Sequence, residues 1–148
     1  MKSAFLYGEL KEAVFVEQPQ NYEKKGQEYK VYKLKNALYG LKQAPRAWYS
    51  RIEAHFVKEG FERCNCDRTL FIQTGYGGKI LIVNLYVDEL IFTDNDESMF
   101  VKFKNCMKLE FEMTNLGKMK YFLGVEILQN PKGYISQKKY AKRSFGEV

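Results

Sequence analysis

Two acidic residues, Asp88 and Glu89, stand side by side between two apolar runs at residues 80–87 and 90–93. Both runs are rich in β-branched and aromatic residues, which are typical of strands. A two-residue break between such strands predicts a hairpin with both carboxylates at its tip. Paired carboxylates can bind a divalent metal ion for phosphoryl transfer, and on these residues alone a simple acidic turn is the alternative.

The cysteines and the histidine are the other residues that could bind a metal. The three cysteines are Cys64, Cys66 and Cys106, and His55 is the only histidine. An odd cysteine count without a secretion signal predicts a reducing compartment rather than a disulfide framework. Because no second cysteine pair accompanies Cys64 and Cys66, a zinc site is not predicted there, and His55 receives no chemical role.

Composition limits the class of protein. The 148 residues are 45% hydrophobic and include 11 Tyr and 11 Phe, which predicts one domain with a real core. Disorder and a small disulfide-stapled fold are therefore excluded. A formal net charge of +6 is compatible with a polyanionic partner. No apolar run approaches the ~18 residues of a membrane helix, so no membrane association is predicted.

Hydrophobic periodicity predicts the elements that position the acidic pair. Pro45 suits the first turn of a helix that carries Trp48, Ile52 and Phe56 and stops at Gly60. Asp96 is expected to cap a second helix. The remaining predicted elements are strands at 13–16, 31–34, 69–73, 120–128 and 133–136, and a basic helix at 137–143. This pattern predicts an α+β fold, with a split βαβ antiparallel sheet and the helices on one face.

Several longer motifs make a resemblance specific. Residues 33–48 read KLKNALYGLKQAPRAW, and YVDE at 86–89 and YFLG at 121–124 follow in order, after KSAFLYG at 2–8 and VEQP at 16–19. Together they resemble the reverse transcriptase of copia-type LTR retrotransposons, in the palm region of the Pol polyprotein, over essentially the whole chain. The resemblance implies a ferredoxin-like palm, with a remnant fingers segment and palm at 1–136 and the start of the thumb at 137–148.

The resemblance also implies the chemistry and the site residues. It implies RNA-directed DNA polymerisation with two Mg²⁺ ions, no covalent cofactor, and a template-primer of RNA or DNA with deoxynucleoside triphosphates as partners. The metal-binding catalytic residues are then Asp88 and Glu89. The implied contacts to substrates come from the nucleotide-binding residues Phe5, Tyr39, Gly40 and Lys42, the primer grip Tyr121, Phe122, Leu123 and Gly124, and the backbone-binding residues Lys138, Lys139, Lys142 and Arg143.

Each of these roles has a structural alternative. Phe5 is otherwise a core aromatic, and Tyr39 with Gly40 is otherwise a simple turn. The basic residues near the C-terminus are otherwise a solvated helix face.

Two departures from the family bear on activity. The family carries a first metal-binding aspartate immediately upstream of the position of Met1, and the chain is therefore expected to be a truncated copy. The second departure is Glu89, which stands where the family has aspartate. Its extra methylene displaces the carboxylate by ~1.5 Å, an error that can lower the rate by about a hundredfold. We therefore expect a catalytically impaired fragment.

A different class of function stays open. A non-catalytic remnant could bind nucleic acid or another protein, or self-associate through an exposed palm edge. A product without any function is a third alternative. Family members act in cytoplasmic particles before nuclear integration, so the expected location is the cytoplasm, with the nucleus as the alternative.

Overall fold

The computed structural model describes residues 3–122, 125–129, 135–136 and 138–145. The chain divides into two compact units, Met1–Met113 and Thr114–Val148. None of the described helices is long and apolar enough to cross a bilayer.

The first unit combines two α-helices with short antiparallel strands. A 3-10 helix at Ala4–Tyr7 precedes a two-stranded ribbon and a four-stranded sheet in which every strand pairs with its neighbours in sequence. The elements in chain order are β1 (Phe15–Val16), β2 (Tyr32–Lys33), α1 (Ala44–Lys58), β3 (Glu62–Arg63), β4 (Leu70–Gly75), β5 (Lys79–Tyr86), β6 (Glu89–Asp94) and α2 (Glu97–Glu110).

Both helices begin where the sequence predicts. Pro45 lies in the first turn of α1, where its missing N–H is no loss, and Gly60 follows the helix with a φ of 84°. Asp96 caps α2, because its side chain accepts a hydrogen bond of 3.1 Å from the backbone N–H of Met99. The Nζ of Lys79 also lies 2.7 Å from this carboxylate.

The core lies between the helices and one face of the sheet. Alternate residues of β5, namely Leu81, Val83 and Leu85, are buried. They form one cluster with Phe71 of β4 and with residues of both helices: Trp48, Ile52, Phe56, Phe103 and Met107. The predicted α+β class and antiparallel sheet are therefore confirmed. The split βαβ arrangement stays a prediction.

Two predicted strands are shorter than expected. The strand predicted at 13–16 is only Phe15–Val16, and the one at 31–34 is only Tyr32–Lys33. Among the described residues the two strands pair only with each other, and most of the chain that flanks them is exposed. An apolar pattern alone does not extend a strand that has no sheet to join.

In the second unit, the single strand that periodicity predicts at 120–128 is wrong, whereas the hairpin that the family resemblance implies at 121–127 agrees with the observed strand pairing. The chain reverses instead, so that β7 (Tyr121–Phe122) pairs with β8 (Val125–Glu126). Because Phe122 pairs antiparallel with Val125, the two residues belong to neighbouring strands and not to one continuous strand. Two further elements are the antiparallel pair β9 (Leu128–Gln129) and β10 (Ile135–Ser136), and α3 (Lys138–Phe145) follows them.

Candidate active site

The acidic pair lies at the end of the β5–β6 hairpin, one residue away from its predicted register. Tyr86 pairs with Glu89, so the two-residue turn consists of Val87 and Asp88. The prediction that both acids form the turn is wrong for Glu89, which is the first residue of β6. Asp88 is half-buried and Glu89 is exposed. Because paired residues share a face, the Glu89 side chain lies on the same face as Tyr86, opposite the helices.

The turn stores backbone strain at Val87. Its φ is 51°, and among the described non-glycine residues only Ser3 and Asn21 also have a positive φ. A positive φ at the first of two turn residues is the pattern of a type II′ turn, which normally has glycine there. For a β-branched residue this conformation is costly and is found where the surrounding structure enforces it.

Trp48 is the contact that holds the turn. Its indole N–H donates a 2.6 Å hydrogen bond to the carbonyl oxygen of Val87. The Trp48 ring is 2% exposed and packs edge-on against Phe111, with centroids 5.4 Å apart. Helix α1 therefore fixes the backbone that carries Asp88.

Two of the predicted nucleotide-binding residues meet in space. The rings of Phe5 and Tyr39 have centroids 4.7 Å apart, at 47° to each other. Phe5 packs against the core cluster, whereas Tyr39 is 56% exposed. Gly40 has a φ of 91°, which favours glycine, and a Cβ there would meet nothing within 4 Å. Lys42 is exposed in the turn that precedes α1.

The 3-10 helix that carries Phe5 is packed tightly on α1. The rings of Tyr7 and Trp48 lie 6.1 Å apart. A Cβ at Gly8 would stand 2.6 Å from the backbone nitrogen of Trp48, so only glycine fits at this approach. Trp48 therefore supports the Phe5 segment on one side and the acidic hairpin on the other.

The predicted primer grip and basic residues belong to the second unit. Tyr121 pairs with Glu126, and the tyrosine hydroxyl lies 3.3 Å from that carboxylate. Phe122 is half-buried. Leu123 and Gly124 lie outside the described residues, as do the side chains of Lys138 and Lys139. Lys142 and Arg143 are exposed on α3.

The donor atoms of the hairpin suit a hard divalent cation. Asp88 and Glu89 offer carboxylate oxygens at adjacent positions, and such oxygens are the ligands that Mg²⁺ prefers. Among the residues that the structure describes, no third ligating side chain joins these two. Among the described residues, the hairpin therefore offers two adjacent carboxylates and no complete group of metal ligands.

Sequence reasoning assigned Trp48 only to the core and missed its role at the turn. A usable signal existed, because a buried tryptophan normally finds a hydrogen-bond acceptor for its indole N–H. Which acceptor it would find, 39 positions away, depends on the packing of α1 against the hairpin.

Comparison with known proteins identifies the family. Residues 1–147 match the family described as reverse transcriptase (RNA-dependent DNA polymerase). The chain is 33% identical over 146 residues to the retrovirus-related Pol polyprotein from transposon TNT 1-94 of Nicotiana tabacum, covering 97% of this chain and 11% of that protein. It is 35% identical over 141 residues to that from transposon RE1 of Arabidopsis thaliana, covering 95% and 10%.

The chain thus spans about a tenth of the length of these relatives. No solved structure matches it. The family's chemistry involves a nucleic-acid template, nucleotide substrates and a divalent metal ion. The order and spacing of the motifs, the α+β fold and the match along residues 1–147 agree: the chain belongs to the reverse transcriptase family, with the Pol polyproteins of copia-type retrotransposons.

Proposed function

We propose that this chain forms the palm of an RNA-directed DNA polymerase, and that Asp88 and Glu89 bind its catalytic metal. The observation that carries the proposal is the family match over residues 1–147, within which two adjacent carboxylates stand at an accessible hairpin end. A split βαβ palm, with the thumb beginning at residue 137, is part of the same proposal. Support for it comes from the helices that cover a single face of the antiparallel sheet.

The proposed metal is Mg²⁺. When bound, it supplies positive charge that stabilises the transferring phosphoryl group. Asp88 and Glu89 donate the oxygens, and the bond from Trp48 to Val87 orients the backbone that carries Asp88. A rigidly held ligand loses little freedom when the metal binds.

The Phe5–Tyr39 pair is the proposed nucleotide platform. Phe5 is anchored in the core and lies beneath the sugar, and the exposed Tyr39 ring offers a surface on which to stack. Gly40 leaves the backbone open to close approach, and Lys42 offers a positive charge to a phosphate. The proposed contacts to primer and template backbone are Tyr121, Phe122, Leu123, Gly124, Lys138, Lys139, Lys142 and Arg143.

We propose that Glu89 contributes to impaired catalysis. Its carboxylate reaches ~1.5 Å further than that of aspartate, which is large beside a metal–metal distance of ~3.5–4 Å. We therefore expect Glu89→Asp to raise the rate of primer extension on an RNA template, by up to about a hundredfold. Glu97→Asp, which changes an exposed glutamate at the start of α2, is the matched control and should leave the rate unchanged.

Metal binding tests the site separately from turnover. Mn²⁺ should broaden the backbone resonances of the β5–β6 hairpin, and Asp88→Asn should abolish this broadening. Broadening that survives Asp88→Asn, or that appears elsewhere, overturns the proposed metal site. Primer extension by Glu89→Asp no faster than by the wild type overturns the proposed cause of impairment.

The alternative is a binding module without polymerase activity. It predicts that affinity for a fluorescent template-primer is the same in Mg²⁺ and in chelator, with a strong salt dependence. It also predicts no primer extension in Mg²⁺ or Mn²⁺ by either the wild type or Glu89→Asp.

Self-association through the sheet edge is also proposed. Strand β6 lies at the end of the four-stranded sheet and pairs only with β5 within it. An unpaired edge can pair with a second copy. Sedimentation velocity should show a dimer that increases with concentration, and a monomer at every concentration contradicts this proposal.

A further inference from the structure

A second group of ligating side chains lies between α1 and α2, away from the acidic hairpin. It consists of His55 in the last turn of α1, Glu59, which is the C-cap residue of α1, and Cys106 on α2. The backbone N–H of Glu59 donates a 3.0 Å hydrogen bond to the carbonyl oxygen of His55, so the helical turn brings these two residues close together. They line a pocket together with Gln73 and Lys102. His55 is 5% exposed, while Glu59 and Cys106 are partly exposed, so the group can be reached from solvent.

The three side chains lie at the separation that a single metal ion requires. The Nε2 of His55 is 3.4 Å from the Sγ of Cys106, and the ligand atoms of all three lie within 4.8 Å of one another. Bonds of ~2.0–2.3 Å at a tetrahedral angle separate neighbouring ligands by roughly 3.5 Å. The His55–Cys106 pair already has this spacing. Rotation of the Glu59 side chain would bring its carboxylate from within 4.8 Å to the same distance from the other two ligand atoms.

The pKa shifts of His55 and Cys106 have opposite effects on metal binding. Burial lowers the pKa of His55, against the opposing charges of Glu110 and Glu59, which favours the neutral imidazole that ligates metals. Burial and the neighbouring Glu59 raise the pKa of the Cys106 thiol to about 11. Without a metal, Cys106 is therefore a protonated thiol at neutral pH. Coordination forms an S–metal bond and releases the thiol proton to solvent.

Charge also fits a dication. A Glu59 carboxylate and a Cys106 thiolate together neutralise two positive charges, and His55 adds none. The other charged groups that act on His55 or Cys106 are Arg51, Lys58, Lys102 and Glu110. Arg51 is itself paired with Glu110.

We propose that His55, Glu59 and Cys106 form a site for Zn²⁺ that links α1 to α2, with water as the fourth ligand. Nitrogen and sulfur ligands favour Zn²⁺ over the Mg²⁺ that suits the carboxylates of the hairpin. The two sites therefore differ in both position and metal. The Zn²⁺ site holds the helix pair together and does not depend on the proposed polymerase activity.

Cobalt substitution tests the site directly. Titration of the metal-free full chain with Co²⁺ should produce a near-ultraviolet thiolate-to-cobalt band and visible bands of tetrahedral intensity, which Zn²⁺ then bleaches. Cys106→Ser should abolish the near-ultraviolet band, whereas the matched control Cys66→Ser should retain it. His55→Gln and Glu59→Gln should each weaken Co²⁺ binding by at least about 100-fold, because loss of a mere supporting contact costs ~10–100-fold.

A second measurement uses only the wild-type chain, so it does not depend on whether the variants fold. On the wild-type chain, Zn²⁺ should slow alkylation of Cys106 and leave Cys64 and Cys66 unaffected, as mapped by mass spectrometry. A wild-type chain without a cobalt band overturns the proposal. So does a band that survives Cys106→Ser, or Zn²⁺ protection confined to Cys64 and Cys66.

Discussion

The strained turn at Val87 makes a prediction whose sign is unusual. At most positions a protein with glycine is less stable than the same protein with alanine, by ~0.4–1 kcal/mol. The reason is that glycine gives the unfolded chain more conformational freedom. At Val87, with a φ of 51°, the order should reverse. We expect Val87→Gly to be more stable than Val87→Ala, although both substitutions remove the same isopropyl group and leave the carbonyl acceptor of the Trp48 bond in place.

The magnitude follows from two opposing contributions. A left-handed backbone costs a residue with a Cβ about 1–2 kcal/mol, and glycine avoids this cost. Subtracting the ~0.4–1 kcal/mol that glycine loses to chain entropy leaves a preference of about 0–1.6 kcal/mol for Val87→Gly, with a central value of about 0.8 kcal/mol. The comparison with alanine cancels the contacts of the valine methyl groups, and Val87 is already 50% exposed.

Urea unfolding at equilibrium measures the difference, with one shared slope for all variants. Val101 is the matched control, because it is 45% exposed but lies inside α2. There Val101→Ala should be more stable than Val101→Gly by about 1 kcal/mol. If the alanine variant is more stable than the glycine variant at both positions, the positive φ at Val87 is refuted. The account of how the backbone beside Asp88 is held is then refuted with it.

Three further predictions concern the support of the site and the helix ends. Trp48→Phe removes the hydrogen-bond donor to the Val87 carbonyl and part of a buried ring. The substitution should lower the free energy of unfolding by about 1–3 kcal/mol. Hydrogen exchange should also show a loss of amide protection at the hairpin. Gly8→Ala brings a Cβ to 2.6 Å from the Trp48 nitrogen and should cost ~1–3 kcal/mol; Gly75→Ala, which meets Lys79 and Met99 side chains at 3.3 and 3.4 Å, should cost less in the same urea assay. Lys79 and Ser98 lower the pKa of Asp96 from its ordinary 3.8 to about 2. This carboxylate therefore contributes stability above pH 3.8 that is lost as pH falls through about 2. In acid unfolding, the wild type should be more stable than Asp96→Asn above pH 3.8, and this difference in the free energy of unfolding should disappear as the pH falls through about 2. A difference that persists at lower pH contradicts the lowered pKa of Asp96.

Local sequence patterns predicted the β5–β6 hairpin, the bounds of α1, the start of α2 and the family. The β-branched runs on either side of Asp88 and Glu89 predicted the hairpin, because alternation on a pleated strand is a local property. Pro45 and Gly60 bounded α1, and Asp96 began α2, because capping depends on residues within one turn. The long motif at 33–48 led to the family that the match over residues 1–147 confirms.

The tertiary structure decided which distant side chains meet. Tyr39 reaches Phe5, Trp48 reaches the carbonyl of Val87, and Cys106 reaches His55 from 51 positions away. No local pattern predicts these contacts, since they follow from how α1 packs against the 3-10 helix, the hairpin and α2. The two-residue turn also consists of Val87 and Asp88 rather than of the two acids, and Trp48 contacts the turn at Val87. Local periodicity fixes a residue's face, and packing of the whole chain fixes its partner.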